Sequence, residues 1–445
     1  MSTPHPIPRL SRRSLLAATG GLASAGILSA CSGAKTSGGG GATSSSSTVL
    51  LSTQFSPVEE KQRFEKILST FVTDPKTSFN SMAMADFTTQ VKSQVDAKKV
   101  QFGIAAALHG ELTPLADYLE DVDSLVPDAA AAGIGKDLLA LGKLGGSTQK
   151  YIPWMQASFV VAVNKKALQW LPSGADVTAL TYDQYLSWAQ AAAKANGKPV
   201  FGFPAGPKGL YHRWFQGYLL PSFTGGVITT FTSSEAATAW SWMKDFWAVC
   251  NPASTNYDNL QEPMARGEVL VGWDHVARLV QAPKDKPDDW LMVPAPIGPK
   301  GLGYMLVVAG MGIPKGGDVA TAAKAIRALL QPKVQIEVLR QNAFFPVVKA
   351  DLPSDLSAPV KMEAEAVAKQ TASPKAIVAL PPVGLGAKDG ELAQVFKDCF
   401  REICLQNGDP KTVLGKYTAT VTSILDATKV PCWAPDPAMS QCRVG

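Results

Sequence analysis

The chain of 445 residues is long enough for two lobes, each with its own core. Its 46% hydrophobic and 18% charged residues are ordinary for a soluble globular protein. Setting aside Arg9, Arg12 and Arg13 of the first thirty residues leaves 39 basic against 37 acidic side chains; no basic run stands out, which excludes nucleic acid and an acidic membrane surface as the main partner.

The N-terminus carries the most specific signals. Ser11-Arg12-Arg13-Ser14-Leu15-Leu16 opens a short apolar stretch that ends in Leu28-Ser29-Ala30-Cys31. A charged head, a short apolar body and small residues before a cut site make an export signal, and the stretch is too short for a spanning helix. The arginine pair resembles a twin-arginine signal, and Leu28 to Cys31 resembles a bacterial lipobox. These resemblances imply cleavage before Cys31, a lipid on its thiol and a position on the outer face of the cell membrane. Residues 31–47 are almost wholly Ser, Gly, Thr and Ala. Such a segment buries too little apolar surface to fold and reads as a tether.

The folded part then alternates strands and helices. Val49–Ser52 reads as a strand, and residues 57–71 as a helix with Phe64, Ile67, Leu68 and Phe71 on one face. A strand is expected over 80–87, a helix over 88–98 and a buried strand over 102–108. Further strands are expected at 151–156, 159–164, 201–204, 268–273, 291–293 and 305–309. Helices are expected at 181–195, 211–218 and 233–249. The last third reads as helices at 320–330, 334–340, 360–369, 391–404 and 410–425. This order implies an α/β protein with largely parallel sheets.

Cysteines beyond Cys31 are Cys250, Cys399, Cys404, Cys432 and Cys442. Export permits disulfides, and an odd number leaves at least one thiol over. Cys399 and Cys404 point apart on a helix. Cys432 and Cys442 in the Pro-rich tail pair to close a small loop, or Cys404 bridges to that tail. Neither metal-ligand spacing nor a cofactor motif is present.

An ordered set of motifs resembles the extracytoplasmic solute-binding proteins of carbohydrate ABC importers, the group that includes maltose-binding protein. Its parts are Tyr151-Ile152-Pro153-Trp154 before the strand ending at Asn164, and Pro172 followed by Leu180-Thr181-Tyr182-Asp183. Gly267-Glu268-Val269 to Trp273-Asp274 and Pro294-Ala295-Pro296 to Ile313-Pro314 complete it. The resemblance implies a two-lobed periplasmic-binding-protein type II fold with discontinuous lobes joined by hinge strands. Lobe I is expected over 48–160 and 306–346, and lobe II over 161–305 and 347–445, with a Cys/Pro tail at 426–445. It also implies a carbohydrate ligand, and a permease with its ATPase as partners.

Sugars offer C–H faces to aromatic rings and hydroxyls to charged or amide side chains. On that chemistry Trp273 is expected to stack on a sugar and Asp274 to accept its hydroxyls; the plain alternative has Asp274 capping a helix from His275. Trp154 and Gln156 are candidates at the first crossing, and Tyr304 with Gly303 at the second. His109 and Glu111 follow a buried strand, where open α/β sheets bind ligands. Arg213 and Trp214 would suit a ligand with a carboxylate or phosphate. Phe345 and Gln54 complete the candidates. A di- or oligosaccharide is the favoured ligand, with an amino sugar or glycerophosphodiester next. An exported glycan hydrolase is the rival from another class. It needs two carboxylates flanking the scissile bond, and the spacing singles out no pair. Neither Gly-x-Ser-x-Gly nor His-Glu-x-x-His occurs.

Overall fold

The computed structural model describes residues 46–56 and 58–445; the export signal, Cys31 and nearly all of the tether lie outside them. No helix among the described residues is long and apolar enough to cross a membrane.

Eleven strands are distributed over three sheets among the described residues. They are β1 (Ser47–Ser52), β2 (Lys76–Ser81), β3 (Ile104–Leu108), β4 (Tyr151–Ala157), β5 (Phe159–Asn164) and β6 (Phe201–Gly202). Then come β7 (Val271–His275), β8 (Trp290–Val293), β9 (Leu302–Met305), β10 (Val307–Gly312) and β11 (Ala376–Ala379). The first sheet has the order β2-β1-β3-β10-β4, the second β6-β7-β5-β8, and β9 pairs with β11 in a third.

The first sheet is parallel except for β10, which runs antiparallel between β3 and β4. The second follows the same plan: β6, β7 and β8 run one way, and β5 is antiparallel to both β7 and β8. The cause is the path of the chain. Strand β5 enters straight from β4 of the other sheet, without the helical crossover that parallel pairing requires.

The chain passes between the halves at Ser158, between β4 and β5, and at Leu306, between β9 and β10. The two passages are tied together. Ser158 Oγ donates to the Met305 carbonyl at 2.9 Å, and Gln370 Nε2 donates to Ser158 Oγ at 3.0 Å. The Tyr218 hydroxyl accepts from the Phe159 amide at 3.1 Å and donates to the Phe159 carbonyl at 3.0 Å. All these side chains are buried, so each bond counts against a costly orphaned group. Beyond position 346 the chain keeps contact with the first half. Val347 and Val348 pack in the first half's core, and the Lys349 amide bonds to the Ala132 carbonyl at 2.9 Å.

The helices form where their ends and faces agree. Over Tyr182–Asn196, the Thr181 hydroxyl accepts from the Gln184 amide while the Gln184 side chain accepts from the Thr181 amide. That reciprocal cap starts the helix, and Gly197 at φ +64° ends it. Helix Val58–Phe71 buries Phe64, Ile67 and Leu68, one helical stripe, against the first sheet's core. The strand expected over 80–87 lies earlier, at β2, and a helix already begins at Met84.

The second half is built on rings. Trp188, Trp214, Trp240 and Trp273 are each at most 1% exposed within one cluster. Cys432 pairs with Cys442, the small-loop alternative, with Cα atoms 4.4 Å apart; Cys250, Cys399 and Cys404 are free thiols.

Candidate functional site

A cavity of about 700 Å³ opens between the halves. From the first half it is lined by Met84, Ala85, Thr88 and Lys92, and by Leu108, Gly110, Glu111 and Pro114 after β3. From the second it is lined by Arg213 and by a turn-rich wall that includes Pro381, Pro382, Leu385 and Asp389. The halves touch here: the Gly384 amide reaches the Gly110 carbonyl at 3.4 Å.

Glu111 is the acid of the first-half wall. Its Oε2 accepts from the Thr53 hydroxyl at 2.7 Å and from the Leu108 amide at 2.9 Å. Thr53 Oγ1 in turn accepts from Gln54 Nε2 at 2.9 Å. One oxygen of Glu111 is thus held by the ends of β1 and β3. Burial raises the Glu111 carboxyl above the usual range, opposed by the bonds from Thr53 and Leu108. A carboxyl so held suits a ligand group that donates a hydrogen bond.

Arg213 faces it from the second half. Its Nη1 donates to Gln216 Oε1 at 2.9 Å and its Nη2 to Asp389 Oδ2 at 3.3 Å. Directly after it the helix loosens into a π-turn over Phe215–Leu219, a feature common beside functional sites. Asp389 Oδ1 and Gln216 Nε2 are buried without a protein partner. The row Gln216–Arg213–Asp389 therefore ends in an unused donor at one side and an unused acceptor at the other.

Of the sequence candidates, Glu111 and Arg213 line this cavity together, and Gln54 supports Glu111 through Thr53. The others are placed elsewhere. Trp273 is 1% exposed, stacked on Phe159 at 4.8 Å, with Trp214 and Tyr218 each 5.1 Å away. Its faces belong to the core instead of a sugar. Asp274 is fully buried in β7, where its carboxylate accepts from the Leu260 amide at 3.0 Å and the His275 amide at 2.7 Å; the turn after it, Val276–Arg278, is capped by His275 instead, whose Nδ1 accepts from the Ala277 amide at 3.3 Å. Trp154 is fully buried against Phe55 and Phe64. Trp214 stacks on Tyr218 at 5.8 Å.

His109 is buried with Nδ1 2.8 Å from the Tyr151 hydroxyl, and burial pushes its pKa down to about 4. Gln156 Nε2 donates to the Pro346 carbonyl at 3.0 Å, and its backbone bridges to Phe345, which is itself buried in the second half's core. Tyr304 is buried in β9. A Cβ on Gly303 would stand 2.7 Å from the Tyr218 carbonyl, so that glycine admits a helix. No aromatic ring is among the residues lining the cavity; prolines and Leu385 provide the C–H surfaces. Asp389 and the wall at 381–390 escaped the sequence reading. Their signal was the run Pro381-Pro382, Gly384, Gly386 before a helix, a turn signature that names no chemistry.

No curated protein sequence matches the chain. Among solved structures it is similar to the maltose-bound MalE3 of T. maritima, at 17% identity and a TM-score of 0.66, covering 85% of this chain and 100% of that one. It is similar to the sugar-binding protein MalE of the phytopathogen Xanthomonas citri, at 14% identity and a TM-score of 0.68, covering 86% and 98%. It is also similar to UgpB of Mycobacterium tuberculosis in complex with glycerophosphocholine, at 15% identity and a TM-score of 0.66, covering 86% and 99%. At these identities the likeness is one of fold, a two-lobed binding protein. Residues 56–336 match the family described as bacterial extracellular solute-binding protein, and with that match across more than half its length the chain belongs to this family.

Proposed function

We propose that the chain binds a carbohydrate, a di- or oligosaccharide in the first instance, in the cavity between its lobes and delivers it to the permease of an ABC importer. The observation that carries this reading is the pairing of Glu111 and Arg213–Asp389 across a 700 Å³ cavity with apolar walls. Directed acceptors and donors around C–H surfaces suit a ligand that is mostly hydroxyl and ring carbon. The sugars named with the related T. maritima and X. citri proteins support the same class. A glycerophosphodiester is the second reading, favoured by Lys92 and Arg213 in the lining and by the ligand of the related UgpB. Export through the twin-arginine route and a lipid on Cys31 belong to the same proposal and rest on the N-terminal motifs. The lobe boundaries we assign follow the sheets, with changes at Ser158 and Leu306.

A thermal-shift screen of the folded protein against neutral saccharides and glycerophosphodiesters tests it, since a ligand of the native state raises the melting temperature. A saccharide hit lost in Glu111→Ala supports the first reading. A phosphodiester hit lost in Arg213→Gln moves the assignment to the second. Silence across both panels rejects both.

A further inference from the structure

The C-terminal tail makes contacts whose purpose the cavity suggests. The loop closed by Cys432–Cys442 is drawn tight by the Cys432 amide on the Met439 carbonyl at 3.1 Å and the Cys442 amide on the Val430 carbonyl at 2.8 Å. At its centre Asp436 is 6% exposed. One oxygen accepts from the Val227 amide at 3.1 Å, the Thr229 amide at 2.9 Å and the Thr229 hydroxyl at 2.5 Å. The other accepts from the Ile228 amide at 2.9 Å. A carboxylate gripping three successive amides is a strong anchor, and it fixes the loop to the body of the second lobe.

The other side of the loop faces the cavity wall. The Ala434 carbonyl accepts from the Leu380 amide at 2.9 Å, immediately before Pro381 and Pro382. Trp433 is buried in the same cluster as Leu380, Val383 and Leu385. Val430 backs Gly384, where an added Cβ would come within 3.0 Å of it. Gly384 in turn meets Gly110 of the first lobe. The tail thus stands behind the segment on which the lobes close.

We propose that the disulfide-closed loop 432–442, through Asp436, is a positioning element for the cavity wall 380–390, holding it in the shape that the ligand and the first lobe meet. This rests on the reading of that cavity as the ligand site. Just before the wall, the Ala379 carbonyl at the end of β11 accepts from the Leu306 amide at 2.8 Å, and the first amide of the wall, that of Leu380, goes to the loop. A surface-decorating tail would leave the wall's dynamics untouched; a positioning tail sets them.

The test is amide hydrogen exchange on the whole protein, in the oxidised form, after reduction with a phosphine confirmed by mass, and in Asp436→Asn and the double variant Cys432→Ser/Cys442→Ser. Exchange over 380–390 is expected to rise about tenfold, as when a local restraint worth one hydrogen bond is removed, while β1 and β3 keep their rates. Faster exchange in 430–442 with 380–390 unchanged would overturn the proposal. So would an even rise across the second lobe, the mark of general support. Asp436→Asn leaves the disulfide intact, so the result does not depend on the double variant folding. The readout needs no ligand: a silent ligand screen does not touch it, and unchanged exchange does not touch the proposed function.

Discussion

Asp274 and His275 lie side by side at the end of β7, and burial acts on them in opposite directions. It pushes the Asp274 carboxyl up to about 7 from an ordinary 3.8, and the His275 imidazole down to about 3 from 6.5. The stability contributed by Asp274 is present below about pH 4 and is lost as the pH rises through about 7. That contributed by His275 is present above about pH 6.5 and is lost as the pH falls through about 3. Between about pH 4 and 6.5 the two slopes oppose each other. Asp274→Asn removes one of them, so its stability relative to wild type should rise with pH across that window, by at most about 1.4 kcal/mol per pH unit. Urea unfolding at pH 4.5 and 6.5 measures this; parallel curves for the two proteins would refute it. Trp273 beside this pair shows why the aromatic candidates were illegible. It shares its strand face with Val271, and both sit in the same aromatic core. A strand covered on both faces gives no sign in its sequence of which side meets a cavity. Glu111 was legible because the end of a buried parallel strand has one geometric meaning.

Elements with strong ends were read correctly. The cap at Thr181 and the Ser233 cap of helix Ser234–Trp247 both start helices where the residues said they would. The element misread is β2, Lys76–Ser81. Its sequence, Lys-Thr-Ser-Phe-Asn-Ser, buries only alternate residues at the sheet edge, so it offered too weak an apolar signal. The strand read as one unit over 305–309 is really β9 and β10, because hydropathy does not mark the point where a chain changes sheets. That point is held by Tyr218, reaching β5 from a separate helix. Tyr218→Phe leaves the Phe159 amide and carbonyl and Ser158 with fewer partners in a dry site, and should cost about 1–3 kcal/mol. Equal unfolding midpoints for variant and wild type would show that water replaces the hydroxyl.

At the scale of the molecule, the two-lobed architecture followed from the motif order, while the reversed strands β10 and β5 did not. Both depend on where the chain returns in space, which local patterns do not encode. The closed arrangement of the lobes has a steric test. A Cβ on Gly110 would stand 2.2 Å from the Pro382 carbonyl, so Gly110→Ala must hold the lobes apart. Small-angle scattering should give Gly110→Ala a larger radius of gyration than wild type, with the melting temperature nearly unchanged; superimposable profiles would mean that the contact does not govern closure.

The wall at 381–390 has one more consequence. Its first two residues are prolines, which bring carbonyl oxygens and ring carbons but no N–H groups, and Gly386 and Gly390 add no side chains to the lining. Much of this side of the cavity is therefore made of backbone. On this wall, side-chain exchange that alters ligand preference is confined largely to Leu385 and Asp389; other changes would have to come from the length and course of the loop, from Arg213 or from the opposite lobe.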